Sequence, residues 1–180
     1  VRHDAHRLIE VFMIAANAST ANFLAKHEMP NLLRIHEGPS VDRLLKLRGF
    51  LSELGLSLDG GEEPKPQHYK LLIASIQNRP DAHLIEMVML RSMSQAMYGP
   101  EQQGHFGLAL ELYAHFTSPI RRYPDLLTHR AIKHVIAKQK AGSFTYSKSD
   151  MTLFGEHCSF CSRRADEATR DVESWLKCEF

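Results

Sequence analysis

The stretch from Tyr113 to Arg130 reads Y-A-H-F-T-S-P-I-R-R-Y-P-D-L-L-T-H-R and crowds aromatic, hydroxyl and cationic side chains around one proline. Ser118 followed by Pro119 has the form of a helix start: proline is tolerated at the first helical position, and a hydroxyl before it can cap exposed N–H groups. On that reading Arg121 and Arg122 fall in the first turn. Backbone N–H groups, the positive end of the helix dipole and a guanidinium fork would then converge, which suits an oxyanion of phosphorus. The same spacing also fits an arginine that caps neighbouring carbonyls or pairs with Asp125.

The elements that must carry this stretch read as mostly helical. A first helix is expected from about Asp4 to Lys26, apolar nearly all round between Leu8 and Ala16 as a buried helix should be, with Glu10 and Asn17 as polar exceptions. A short strand follows at 32–35. Ser40 should cap a second helix striped by Leu44, Leu47, Leu51 and Leu54 and closed by Gly55. After a polar loop from Ser57, Pro66 and Pro80 each mark a further helix start, the second helix running on until Tyr98-Gly99-Pro100 stops it. Leu108 to Phe116 reads as extended. Ser118 then opens a basic helix to about Lys140, and a last helix runs from about Ser147 to Lys177. The fold class expected is mainly α with a few short strands, without an internal repeat or a second domain.

The wording of the chain is more specific than its pattern. Gly104-His105-Phe106-Gly107-Leu108-Ala109, the Thr117-Ser118-Pro119-Ile120-Arg121-Arg122-Tyr123 block with Tyr113 and His115 before it, and His129-Arg130 after it resemble the RNB catalytic domain of the ribonuclease II and ribonuclease R family. The resemblance extends upstream through Leu8-Ile9-Glu10, Met13 to Asn17 and Arg34-Ile35-His36, and downstream through Arg163 to Ala168. It is nearest the bacterial ribonuclease R branch. It implies a processive hydrolytic exoribonuclease that works from the RNA 3′ end, releases nucleoside 5′-monophosphates and uses two divalent ions, usually magnesium, to assist the attacking water.

One departure stands out. The family holds its ions with a tight group of aspartates in an N-terminal part of the domain, whereas the aspartates here are scattered and the chain starts at Val1. The resemblance therefore implies that residues 1–180 are a single partial domain, the helical C-terminal portion of an α+β catalytic domain. The metal-bearing part and the flanking RNA-binding modules would be missing. Alone, such a piece is expected to be inactive, to bind no metal, and to self-associate through the face its missing half would cover.

The resemblance also suggests roles. Arg121 matches the arginine after Ser-Pro-Ile that neutralises charge on the scissile phosphate. Glu10 matches a glutamate near the 3′-terminal nucleotide, where a carboxylate can accept from a ribose hydroxyl; a buried structural pairing with an arginine is the alternative. Arg34 and His36 alternate onto one side of an extended segment, either against the RNA backbone or as ordinary surface groups. Tyr113, His115 and Tyr123 either stack on RNA or pack around the proline turn. Ser118, Arg122 and Arg130 complete the expected substrate contacts, with His129 and Arg130 supporting the site from behind.

Composition limits the alternatives. A net charge of +1 excludes a globally basic protein, so nucleic-acid binding must come from a local patch. Between Pro119 and Lys140 six cations (Arg121, Arg122, Arg130, Lys133, Lys138 and Lys140) face only Asp125. No continuous apolar run reaches the roughly 18 residues of a membrane span, and three cysteines do not make a disulfide scaffold. With the resemblance, this points to the cytoplasm. Cys158 and Cys161, a weak zinc candidate with His157 and the distant Cys178, are better read as part of an apolar seam running from Met151 to Trp175. His6 and Glu10, one turn apart, are only a weak metal pair. A helical RNA-binding module without chemistry is the main rival reading. A hydrolase using Ser118 or Cys158 lacks a glycine-flanked nucleophile elbow.

Overall fold

The computed structural model describes residues 3–179 and is mostly helical, with one two-stranded sheet. The elements are α1 (Asp4–Lys26), β1 (Leu33–Ile35), α2 (Val41–Glu53), α3 (Pro66–Ile76), α4 (Ala82–Ser92), β2 (Met97–Gly99), α5 (Tyr123–Ile136) and α6 (Lys148–Glu179). They fall into two compact units. One contains α1, β1, β2, α5 and α6; the other spans His36–Ala96 with Gln103–Glu111.

In the first unit α1 is buried only along its C-terminal half, through Asn17, Thr20, Ala21 and Leu24. The preceding turns expose Leu8, Ile9, Val11 and Phe12 at 55–61% of their surface. This corrects the expectation of a buried apolar helix, since an all-round apolar sequence shows that a helix wants cover without saying what supplies it. By length and composition alone α1 could also cross a membrane. Its buried Asn17, hydrogen-bonded at both ends of the amide, instead fits a helix packed against protein. The helix ends at a left-handed Glu28 (φ 53°), and the Met29 and Glu28 N–H groups return to the carbonyls of Leu24 and Ala25.

β1 and β2 pair antiparallel, with Arg34 opposite Tyr98. β2 was missed in the sequence: three residues give too short an alternation to read, and α4 ends at Ser92 rather than running to Tyr98. Long-range packing defines the strand. The Tyr98 N–H donates to Ser159 Oγ of α6 at 2.8 Å, and Gly155 one turn earlier lets the two backbones approach closely. Around this sheet Leu32, Leu127 and Met151 are fully buried, joining α5 and α6 to the chain before β1. The seam on α6 is covered at Met151, Gly155 and Ser159, partly covered at Cys158 and Cys161, and exposed from Arg163 onward.

The second unit contains its three expected helices, with α4 ending earlier than expected, at Ser92. Leu44, Leu47 and Leu51 bury against Tyr69, Leu72 and Ile76 of α3 and Ile85 and Met89 of α4. Gly55 closes α2 at φ 69°, and Pro66 opens α3. The segment from Leu108 to Phe116 is not a strand. Phe106–Leu108 form a 3-10 turn, Ala109 is left-handed (φ 54°), and Leu110 folds back so that the His105 N–H donates to its carbonyl at 2.7 Å.

Candidate functional site

The Thr117–Arg122 segment is a turn in front of a helix, which corrects its reading as the helix start. The Arg121 and Arg122 N–H groups both donate to the Ser118 carbonyl, at 3.3 and 3.1 Å. Arg122 is then extended (φ −124°, ψ 118°), and the helix begins at Tyr123 with Pro124 in its first turn. Ser118 therefore makes no side-chain cap, and Arg121 lies outside the helix. At the far end Lys138 adopts φ 55° and α5 stops at Ile136, so Lys138 and Lys140 are not on the basic helix.

Two adjacent arginines have opposite surroundings. Arg122 Nη2 donates to Asp125 Oδ1 at 2.8 Å, and Asp125 is completely buried. The Ser118 N–H donates to the same oxygen at 2.8 Å. Arg121 is exposed, and its guanidinium has no hydrogen-bond or ion-pair partner among the described residues. Ile120 beside it is 97% exposed. The turn thus spends one guanidinium on its own structure and presents the next.

A polar network fixes the chain leading into this turn. Asn17 Nδ2 donates to the Tyr113 hydroxyl at 2.9 Å, and its Oδ1 accepts the Phe116 N–H at 2.9 Å. The Tyr98 hydroxyl lies 2.8 Å from His115 Nδ1, and the Arg34 guanidinium stacks 4.6 Å from the Tyr98 ring centre. The Arg34 N–H donates to the Tyr113 carbonyl at 2.7 Å. Burial pushes the Tyr98 hydroxyl above the ordinary tyrosine range, against the pull of Arg34 and Arg122. Burial also lowers Arg34, which Tyr98 and Asp166 partly offset and Arg122 reinforces. His129 stacks on Phe116 at 4.3 Å and donates from Nε2 to the Phe116 carbonyl.

Arg34, Tyr113, Ser118, Arg121 and Arg122 therefore gather around one segment of the first unit. Tyr123 and Arg130 belong to a neighbouring aromatic group on α5: Arg130 Nη1 donates to the Tyr146 hydroxyl at 2.6 Å, and Tyr123 packs edge-on against Phe154. Burial, followed by Tyr146, raises Tyr123 above its usual range. Glu10 lies on the exposed half of α1, which goes against the alternative of a buried structural pairing. His36 lies in the second unit with both ring nitrogens engaged, Nδ1 accepting the Gly107 N–H and Nε2 donating to the Ser94 carbonyl. Asn17, Tyr98 and Asp125 carry the geometry and had no assigned place in the site. Asn17 was visible as a polar residue on an apolar helix, and Asp125 through its i,i+3 spacing from Arg122.

Among the described residues no three His, Cys, Asp or Glu side chains converge to hold a metal ion, so these residues do not fit a magnesium site on their own.

Comparison with known proteins agrees with this fold. The RNB domain family matches residues 1–138. Ribonuclease R of Escherichia coli (strain K12) is 54% identical over 187 residues, covering 99% of this chain and 23% of that protein. Ribonuclease R of Vibrio cholerae is 54% identical over 189 residues, with coverage of 100% and 23%. The chain thus spans about a quarter of the length of these relatives. Mycoplasma genitalium RNase R, solved in complex with ribose-methylated single-stranded RNA, shares the fold with a TM-score of 0.89 at 22% identity, covering 98% of this chain and 28% of that one. Yeast Ssd1, described as a pseudonuclease, superposes with a TM-score of 0.75 at 25% identity over 86% of this chain and 19% of its own. With a family match over most of its length, and relatives half identical from end to end, the chain belongs to the RNB domain family.

Proposed function

We propose that this chain is the C-terminal part of an RNB catalytic domain in a longer cytoplasmic protein, a processive 3′-to-5′ exoribonuclease that hydrolyses RNA to nucleoside 5′-monophosphates. Its contribution is the arginine side of the site. The observation that carries this reading is the exposed, unpartnered Arg121 guanidinium on a turn whose other arginine is locked to Asp125. A fixed cation of this kind stabilises charge developing on phosphoryl oxygens, most strongly where water is excluded. Arg34 and the aromatic groups of Tyr113 and Tyr123 would border the path of the single-stranded 3′ end. Glu10, on α1, would accept from a ribose hydroxyl of the 3′-terminal nucleotide, while Ser118, Arg122 and Arg130 act by holding the turn and α5. His36, engaged at both nitrogens, would shape the backbone around Gly107.

Magnesium in the intact protein would take its ligands from segments outside residues 3–179. The exposed apolar half of α1 is the surface those segments would cover. The chain by itself is expected to be inactive and prone to self-association.

A second reading, a helical RNA-binding module without chemistry, draws support from the likeness to a pseudonuclease, since this fold alone does not carry activity. One experiment separates the two readings. The longer protein is assayed for magnesium-dependent release of 5′-monophosphates from single-stranded RNA, beside its Arg121→Ala variant and the present chain alone. Release by the longer protein, a fall of roughly a hundredfold or more for Arg121→Ala and silence from the chain alone support the catalytic reading. A folded longer protein that binds RNA and releases nothing supports the module.

A further inference from the structure

Asp125 occupies the third position of α5, where a carboxylate ordinarily reaches back to the N-terminal backbone of its own helix. It does something else. The Arg122 N–H that such a cap would take is already bonded to the Ser118 carbonyl, and the Asp125 carboxylate instead leaves its helix to accept the Ser118 N–H and the Arg122 guanidinium on one oxygen. Ser118 is thus held from both sides: its N–H by Asp125, and its carbonyl by the N–H groups of Arg121 and Arg122. Ser118 and Arg122, on either side of Arg121 in this turn, are both bonded to a side chain with no exposed surface. The Arg121 guanidinium itself is tied to nothing described.

We propose that Asp125 is the positioning residue for Arg121: a buried carboxylate that fixes the Ser118–Arg122 turn from within, so that the exposed guanidinium meets the scissile phosphate in one place. This rests on the proposed role of Arg121. A long cation on a loose turn would still attract RNA, because attraction to phosphate is long-range and tolerant of position. It would lose the fixed geometry that transition-state charge requires. Asp125 should therefore govern rate and leave affinity largely untouched.

The test uses the longer RNase-like protein with Asp125→Asn, Arg121→Ala and the double variant. Single-turnover cleavage of a 3′-ended single-stranded RNA is measured, along with equilibrium affinity for the same RNA without divalent ion. Asp125→Asn is expected to lower the single-turnover rate about tenfold or more, since small misplacements cost that much. Affinity should stay within about twofold, and Asp125→Asn should add less than about twofold in the Arg121→Ala background, because two residues acting through one effect are non-additive. Equal losses in both backgrounds, or a rate loss matched by lost affinity, would overturn the positioning role while leaving Arg121 in place. A wild-type rate for Arg121→Ala would instead sink the reading of Arg121 and the positioning role with it. If Asp125→Asn lacks a native melting transition, Arg122→Gln with Asp125→Asn carries the same test, since it removes both charges together and keeps hydrogen-bonding groups at both ends.

Discussion

The Asn17 side chain of α1 donates to the Tyr113 hydroxyl at 2.9 Å across 96 residues of sequence, and the same amide accepts the Phe116 N–H. One buried residue thereby sets both ends of the segment that enters the arginine turn. Asn17→Ala leaves the Phe116 N–H without that acceptor and is expected to destabilise the fold by about 1–3 kcal/mol. Urea unfolding of the chain measures it, and a loss below the error of the midpoint would show that the network is dispensable.

The two arginines should part company in the same assay. Arg122→Ala strands the buried Asp125 carboxylate and is expected to cost about 3–5 kcal/mol. Arg121→Ala removes an exposed side chain and should shift stability by no more than about 0.5 kcal/mol. Comparable losses for the two variants would contradict the division of labour between neighbours.

Alkaline pH should weaken the fold through its buried tyrosines. Tyr98 and Tyr69 are both raised by burial from an ordinary value near 10. A raised tyrosine stays neutral in the folded chain while the unfolded chain ionises. Its contribution is therefore complete below pH ~10 and is lost as the pH climbs through the folded value. Thermal melting between pH 8 and 11 is expected to show a falling midpoint at the upper end, with a shallower fall in Tyr98→Phe.

Gly155 is a steric requirement. A Cβ at this position would lie 2.6 Å from the Tyr98 carbonyl oxygen and 3.2 Å from Gly99 Cα, both backbone atoms that cannot swing aside. Gly155→Ala is expected to cost about 1–3 kcal/mol by overpacking, despite the better helix propensity of alanine. A crystal structure or amide exchange in β2 would locate the damage at Met97–Gly99, and a stabilised variant would refute the close approach.

Local signals were enough for α2 and for the start of α3. The Leu44, Leu47, Leu51 stripe, Gly55 at its end and Pro66 at the next beginning are each decided within a few residues. β2 was not legible, because its identity rests on β1 some 60 residues earlier and on Ser159 some 60 residues later. The start of α5 was misplaced for a related reason: Ser-Pro and Tyr-Pro both resemble helix openings, and Asp125 decides between them by taking the Ser118 N–H for the turn. The phosphate-binding character of the arginine pair was visible in composition. Which of the two is free required the buried carboxylate to be placed.

The exposed reach of α6 from Arg163 to Glu179 has a consequence for how the helix persists. A helical stretch of that length is marginal in water by itself, because the first turn must be fixed before any bond repays it. Here Met151, Gly155 and Ser159 are anchored, so the costly first turn is already made and the remaining turns grow from it like rungs added to a secured ladder. Helical order along this reach should therefore weaken with distance from Ser159, and Glu179 stands about 25 Å beyond the last covered turn.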